Sequence, residues 1–303
     1  MKIVRLPDVE RRAQRSVAVG TFDGVHVGHR EVIRDSDSVL TFEPHPVSVV
    51  APQHTPKLLT TFARRAELIA SLGVQELIVI PFDAEFAKRS ADDFVTDVLV
   101  GSLGAGQVAV GENFRFGNKA QGDPRMLAAD GRFSTVVHPL LERGGEVVSS
   151  SHIRGLVLAG RISEANQLLG DPFELSGEVV HGDKRGGRLG FPTANLIPEE
   201  ALACPGHGVY ACLIDGPPTV RSLPAAVSIG VRPTFKTGRA ELIEAYILDF
   251  EGDLYGSRVR LEFLERLRGE RRFDTPEALI EQMRRDVERT REVTAAASVG
   301  GRR

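Results

Sequence analysis

Val17-Ala18-Val19-Gly20-Thr21-Phe22-Asp23-Gly24-Val25-His26-Val27-Gly28-His29 reads as a buried strand, a glycine-punctuated turn and the start of a helix. Val17–Val19 is a continuous apolar run, as in parallel strands covered on both faces. Gly20 and Gly24 let the backbone bend sharply and approach a ligand. His26 and His29 flank Gly28 and fall at a helix N-terminus. Two imidazoles among unpaired N–H groups make a cradle for polyphosphate. Alone, either feature would be a surface turn; together, after a buried strand, they point to a phosphate site.

Outward from this stretch, apolar runs recur at Val39–Phe42, Leu77–Phe82 and Val108–Val110. Amphipathic stretches lie between them at Thr61–Leu72 and Asp92–Leu103, and Ser90 with Asp93 predicts a cap for the second. Strand–helix alternation predicts a doubly wound α/β parallel sheet with ligands at the carboxyl ends of its strands. The connection Arg30–Ser38 leaves room only for a stunted helix.

From about residue 170 the pattern changes. Leu175–Val180, Val209–Ile214, Ala225–Ile229, Leu242–Leu248 and Val259–Leu264 are short strands between Gly/Pro-rich turns. This predicts a compact antiparallel β-barrel. A closing helix follows, with Thr275 as N-cap, Pro276 at the first position, and Leu279, Ile280, Met283 and Val287 on one face. The expected division is 1–168 for the α/β domain, 169–293 for the barrel and 294–303 for a frayed tail.

At 303 residues, two domains are expected rather than one. The 38 Lys+Arg against 41 Asp+Glu give a net charge of −3, and only 6% of residues are aromatic, none of them Trp. Both features argue against nucleic-acid binding. No stretch has the roughly 18–20 apolar residues that span a bilayer, so no membrane is expected. Cys204 and Cys212 lack zinc-site spacing, and such sparse cysteines suit the cytoplasm. For assembly, the expectation is a monomer or weak self-association.

A second constellation is His181-Gly182-Asp183-Lys184-Arg185-Gly186-Gly187-Arg188-Leu189-Gly190-Phe191-Pro192-Thr193-Ala194-Asn195. It is no P-loop. Gly182, Lys184 and Gly186 lie in a stretch that would offer backbone amides and positive charge to phosphates. Thr193 and Asn195 share a face if extended and offer oxygen ligands to Mg²⁺. By strand alternation, Glu262 falls with Arg258 and Arg260 on a solvent face, whereas Glu244 shares its face with Leu242, Tyr246 and Leu248. A carboxylate on an apolar face is either paired, here with Arg232, or a base whose strength burial has raised.

These motifs resemble the bifunctional bacterial riboflavin kinase/FMN adenylyltransferase (FAD synthetase) family, whose first half is an H-x-G-H nucleotidyltransferase with a Rossmann-like sheet. The likeness continues through Thr41-Phe42-Glu43-Pro44-His45-Pro46, Val110-Gly111-Glu112-Asn113-Phe114-Arg115-Phe116-Gly117 and Ser149-Ser150-Ser151-His152-Ile153-Arg154. It implies phosphorylation of riboflavin to FMN and transfer of AMP from ATP to FMN, with riboflavin, FMN and ATP as substrates and Mg²⁺ as cofactor. By the same resemblance, His26 and His29 are catalytic in adenylylation. Gly20, Phe22, Asp23, Gly24, Ser150, Ser151 and Arg154 hold nucleotide, and Asn113 holds nucleotide or flavin. Pro192-Thr193-Ala194-Asn195 is the kinase signature, with Thr193 and Asn195 at the metal–ATP site and Glu244 as base. Ser228-Ile229-Gly230-Val231-Arg232-Pro233-Thr234-Phe235 matches the flavin strand, implying flavin contacts from Arg232 and Phe235, with Ser228 in place of the usual Asn and Val231 in place of Thr. A chain with only the kinase active, or a non-catalytic flavin- or nucleotide-binding regulator, are the alternatives.

Overall fold

The computed structural model describes residues 1–181, 191–217, 220–234 and 238–299, with 231–234, 238–241 and 298–299 described as backbone only. Packing divides the chain into two units, Met1–His152 and Ile153–Arg303.

The first unit holds a parallel sheet of six strands: β1 (Lys2–Arg5), β2 (Arg15–Val19), β3 (Ser38–Glu43), β4 (Glu76–Pro81), β5 (Ala105–Gly111) and β6 (Ser134–His138). Their order is β1-β4-β3-β2-β5-β6, and every pairing is parallel. The chain winds from β2 to β3 and β4 on one side and then crosses to β5 and β6 on the other. The switch point therefore lies between β2 and β5, where doubly wound folds bind ligands.

The apolar runs are continuous because both faces are covered. Val17, Val19, Leu40, Ile78 and Val108 pack on one side beneath Phe94 and Leu99. Ala18, Val39, Leu77 and Ala109 pack on the other beneath Ile33, Ala66 and Ile69. The second set belongs to α1 (Val27–Ile33) and α3 (Phe62–Ser71), with α2 (Pro46–Val50) between them in sequence. α1 has the predicted brevity, and Ser36 N–H closes it onto the Ile33 carbonyl at 2.9 Å before β3 begins. The Ser90/Asp93 capping box is present at α4 (Ala91–Asp93). The helix then continues as a π-helix over Phe94–Ser102, a widening that no residue pattern signals. α5 (Pro124–Ala129) and a small hairpin of β7 (Glu142–Arg143) and β8 (Glu146–Val147) lead to α6 (Ser150–Leu158).

In the second unit, α7 (Ile162–Leu169) precedes a closed antiparallel barrel ordered β10-β13-β12-β11-β14-β9. Its strands are β9 (Phe173–Val180), β10 (Ala194–Pro198), β11 (Gly208–Gly216), β12 (Val220–Thr234), β13 (Gly238–Ile247) and β14 (Arg258–Arg268). The closing helix spans Pro276–Val299, capped by the Thr275 hydroxyl, which accepts the Ala278 N–H at 3.2 Å. It continues past the expected end near Thr294, through the strong helix formers Ala295–Ala297. Its buried face is the one predicted, with Leu279, Ile280, Met283 and Val287 half-buried, but the most deeply buried residues on it are polar: Asp286, Thr290 and Thr294. Asp286 forms a bidentate pair with Arg268 of β14, and each threonine hydroxyl bonds the carbonyl four residues back.

Candidate active sites

In the first unit, the chain leaves β2 through a turn with positive φ at Phe22 (51°), Gly24 (85°) and Val25 (40°). Glycine is required at 20, where a Cβ would stand 2.9 Å from the Phe22 ring. Phe22 and Asp23 are buried beneath the turn rather than presented on it. The Asp23 carboxylate accepts the Leu59 and Thr60 N–H groups at 2.9 and 3.2 Å, and Thr60 Oγ1 accepts the Gly24 N–H at 3.1 Å. Neither Thr60 nor Arg65, which donates to the Thr21 carbonyl at 3.1 Å, was among the residues singled out in the sequence.

His26 caps α1, its Nδ1 accepting the His29 N–H at 3.2 Å. The lone pair on Nδ1 leaves the ring proton of neutral His26 on Nε2. The two imidazoles stack with centroids 3.5 Å apart and planes at 17°, and His29 meets Phe22 edge-on at 5.3 Å. Burial lowers the His26 pKa to about 4, with Arg30 adding to the effect. Burial, then His26 and Arg65, hold His29 well below its ordinary value. Both rings are therefore neutral at pH 7.

α6 begins at the same turn. Ser149 Oγ accepts the His152 N–H at 3.2 Å, and the Ser150 hydroxyl donates to the Asp23 carbonyl at 2.9 Å. Ser151 is exposed, and Arg154 follows on the same helix. Asn113 is exposed in the turn after β5, the strand across the switch point from β2. Elsewhere in the unit, His45 caps α2 through Nδ1 and Asp123 caps α5.

In the barrel, Asn195 of β10 stands opposite Glu244 of β13, and Ser228 of β12 stands opposite Glu244 from the other side. These three residues form one row across adjacent strands. Asn195 is 8% exposed. The interior face of β13 is not the one that strand alternation predicts. The buried side of β13 is Ile243, Ala245 and Ile247, while Glu244 is half-buried on the opposite face with Leu242 and Tyr246. Glu262 is half-buried too, not solvent-facing, and pairs in register with Glu174 and Leu213. Register, not burial, distinguishes Glu244: it alone of the two carboxylates lies beside Asn195. Phe191 packs edge-on against Tyr246 at 5.2 Å and so pins the approach to Thr193, which is half-buried. Gly182, Lys184, Gly186 and Phe235 lie outside the described residues, and Arg232 is described as backbone only.

Residues 8–152 match the family model described as FAD synthetase, and residues 169–294 match the one described as riboflavin kinase. A bifunctional riboflavin kinase/FMN adenylyltransferase of Listeria monocytogenes is 38% identical over 290 residues, covering 91% of each chain. The chain belongs to the bifunctional riboflavin kinase/FMN adenylyltransferase family. The relative of that name in Escherichia coli K12 is 34% identical over 94% of this chain and 96% of its own. A crystal structure of a Streptococcus pneumoniae protein described as a macrolide-efflux protein superposes with a TM-score of 0.87 at 30% identity, covering 96% and 99% of the two chains. Among the described residues, no helix is long and apolar enough to cross a membrane. The FAD synthetase match ends at His152, where the first unit ends, so the stacked histidines belong to that half of the family's architecture. The Asn195–Glu244–Ser228 row falls within the riboflavin kinase match.

Proposed function

We propose that the barrel phosphorylates riboflavin to FMN with ATP and that the sheet unit transfers AMP from a second ATP to FMN, giving FAD and pyrophosphate. The observation that carries this reading is that each unit assembles its own polar site, one matching each family half: the Asn195–Glu244 pairing and the His26–His29 stack. A kinase-only chain or a binding regulator gives no account of both.

In the barrel, Glu244 takes the proton from the ribityl hydroxyl as its oxygen attacks the γ-phosphorus, and ADP departs. The donor set there is oxygen only, which suits Mg²⁺, a cation that keeps waters and substrate phosphates among its ligands. Thr193 and Asn195 would hold it, and when bound it supplies neutralisation of phosphate charge. The assignment of Gly182, Lys184 and Gly186 to the phosphates and of Arg232 and Phe235 to the flavin rests on the sequence resemblance alone, since these lie outside the described residues or are described as backbone only. Ser228 offers a shorter hydroxyl beside Glu244 than an Asn side chain would.

In the sheet unit, the FMN phosphate is already a nucleophile and needs no base. It attacks the α-phosphorus of ATP, and His26 Nε2–H and His29 donate to the phosphate oxygens where charge develops. Gly20 and Gly24 let the backbone approach the nucleotide. Ser150, Ser151 and Arg154 bind the triphosphate, and Asn113 reaches nucleotide or flavin. Phe22 and Asp23 act from below, by shaping the turn. Cysteine use as sparse as Cys204 and Cys212 suits a cytoplasmic enzyme.

The test is product analysis after incubating the full chain with riboflavin, ATP and Mg²⁺. FMN followed by FAD is expected; FMN without FAD would leave the kinase alone, and no conversion would remove both activities.

A further inference from the structure

Arg65 of α3 is only 1% exposed, and nothing in the reaction scheme above uses it. A guanidinium so far from water must be paired and hydrogen-bonded. Its Nη1 donates to the Thr21 carbonyl at 3.1 Å, and its Nη2 pairs with the Glu43 carboxylate. The Thr41 hydroxyl donates to the same Thr21 oxygen at 3.2 Å. Thr21 leads directly into Phe22, the residue whose φ of 51° aims its ring at His29. Glu43 ends β3, the strand beside β2. One buried side chain thus ties the carboxyl end of β3 to the turn that follows β2, whose Phe22 ring meets His29. Arg65 Nε and His29 Nδ1 are both buried without a hydrogen-bond partner among the described residues.

We propose that Arg65 is the positioning residue of the adenylyl-transfer site, holding Thr21 and Phe22 so that His29 keeps its place against His26. The proposal rests on adenylyl transfer occurring at this turn. The charged and titratable groups acting on the pair are Arg65 from α3 and Arg30 from α1, with Glu43 offsetting Arg65. Arg65 is one reason His29 stays unprotonated, so a neutral side chain there moves the acid limb of the pH–rate profile upward.

The experiment compares Arg65→Met, Arg65→Lys and His29→Ala with the parent full chain, measuring kcat and KM for FMN adenylylation and kinase activity on the same preparations. A misplaced catalytic group costs about 10²-fold, so Arg65→Met should lose about that much in adenylylation kcat, more than any change in KM. Its kinase activity should persist and its acid limb should move to higher pH. Arg65→Lys, which keeps the charge, should recover part of the rate and hold the acid limb in place. An adenylylation kcat for Arg65→Met close to the parent's would overturn the proposal. So would parallel loss of kinase activity in both variants, or a lysine variant no better than the methionine one. If His29→Ala adenylylates as fast as the parent, the assignment of the site itself fails, and the role of Arg65 fails with it.

Discussion

Asn195 and Glu244 stand directly opposite one another across β10 and β13, so a buried amide and a half-buried carboxylate share one spot on the barrel. An amide oxygen suited to a cation–phosphate complex beside a carboxylate suited to accept a proton is the arrangement that phosphoryl transfer to an alcohol needs. Glu244→Gln keeps the shape and removes the base. The kinase rate should fall by about 10²–10⁴, the usual cost of losing a general base. Adenylylation of supplied FMN should continue at the parent rate. Steady-state assays of the two half-reactions measure both, and an unchanged kinase rate would disqualify Glu244.

His29→Ala should produce the complementary defect. Losing one donor to developing charge costs about 10²–10³ in rate. FMN should accumulate from riboflavin while FAD formation stalls. Chromatography of the flavins over time distinguishes this from a general loss of activity.

Protonation of His26 is linked to stability. In the unfolded chain the ring takes up a proton near 6.5, but in the folded one burial delays this to about 4. Between these values the unfolded state binds more protons, so stability falls as the pH drops from 6.5 towards 4. The gap corresponds to at most about 3 kcal/mol from this group. Urea midpoints measured from pH 7 to pH 4 should show the decline. His26→Asn, which retains a capping side chain, should flatten it. An identical slope in the variant would assign the pH dependence elsewhere.

The Arg268–Asp286 pair joins the closing helix to β14. Its side chains are 13% and 8% exposed, and Gln282 also donates to Asp286 at 2.9 Å. Removing one member of a buried pair strands the other charge, so Asp286→Ala should destabilise the barrel unit by about 3–5 kcal/mol. Combining it with Arg268→Met should restore part of that loss. Urea denaturation followed through the kinase activity gives the comparison, and a strictly additive double variant would mean that the pair is not coupled.

The central strands were legible because Val17, Val39, Leu77 and Val108 are buried, and their neighbours in sequence are buried against the other face. The edge strands β1 and β6 were not. Ile3 is 52% exposed and Val136 37%, so neither strand carries a run that stands out from loop. β10 was hidden for another reason, being five residues long and ending at Pro198. Glu244 was chosen by an alternation that misidentified the interior, because β13 is apolar on both faces and the smaller residues Ile243 and Ala245, not Tyr246, point inward. Sequence spacing has no access to the partners of Asp23, which lie 36 and 37 positions away at Leu59 and Thr60. Asp23 braces the turn through contacts that spacing does not reveal.

His26 starts a helix with one ring nitrogen and, in the proposed scheme, gives the other to a phosphate oxygen. Shape and chemistry at this position are therefore inherited together. A lysine would keep a donor but lose the acceptor that begins α1, and a serine would begin α1 but reach nothing beyond it. Histidine answers both demands, leaving little freedom for drift at this one residue.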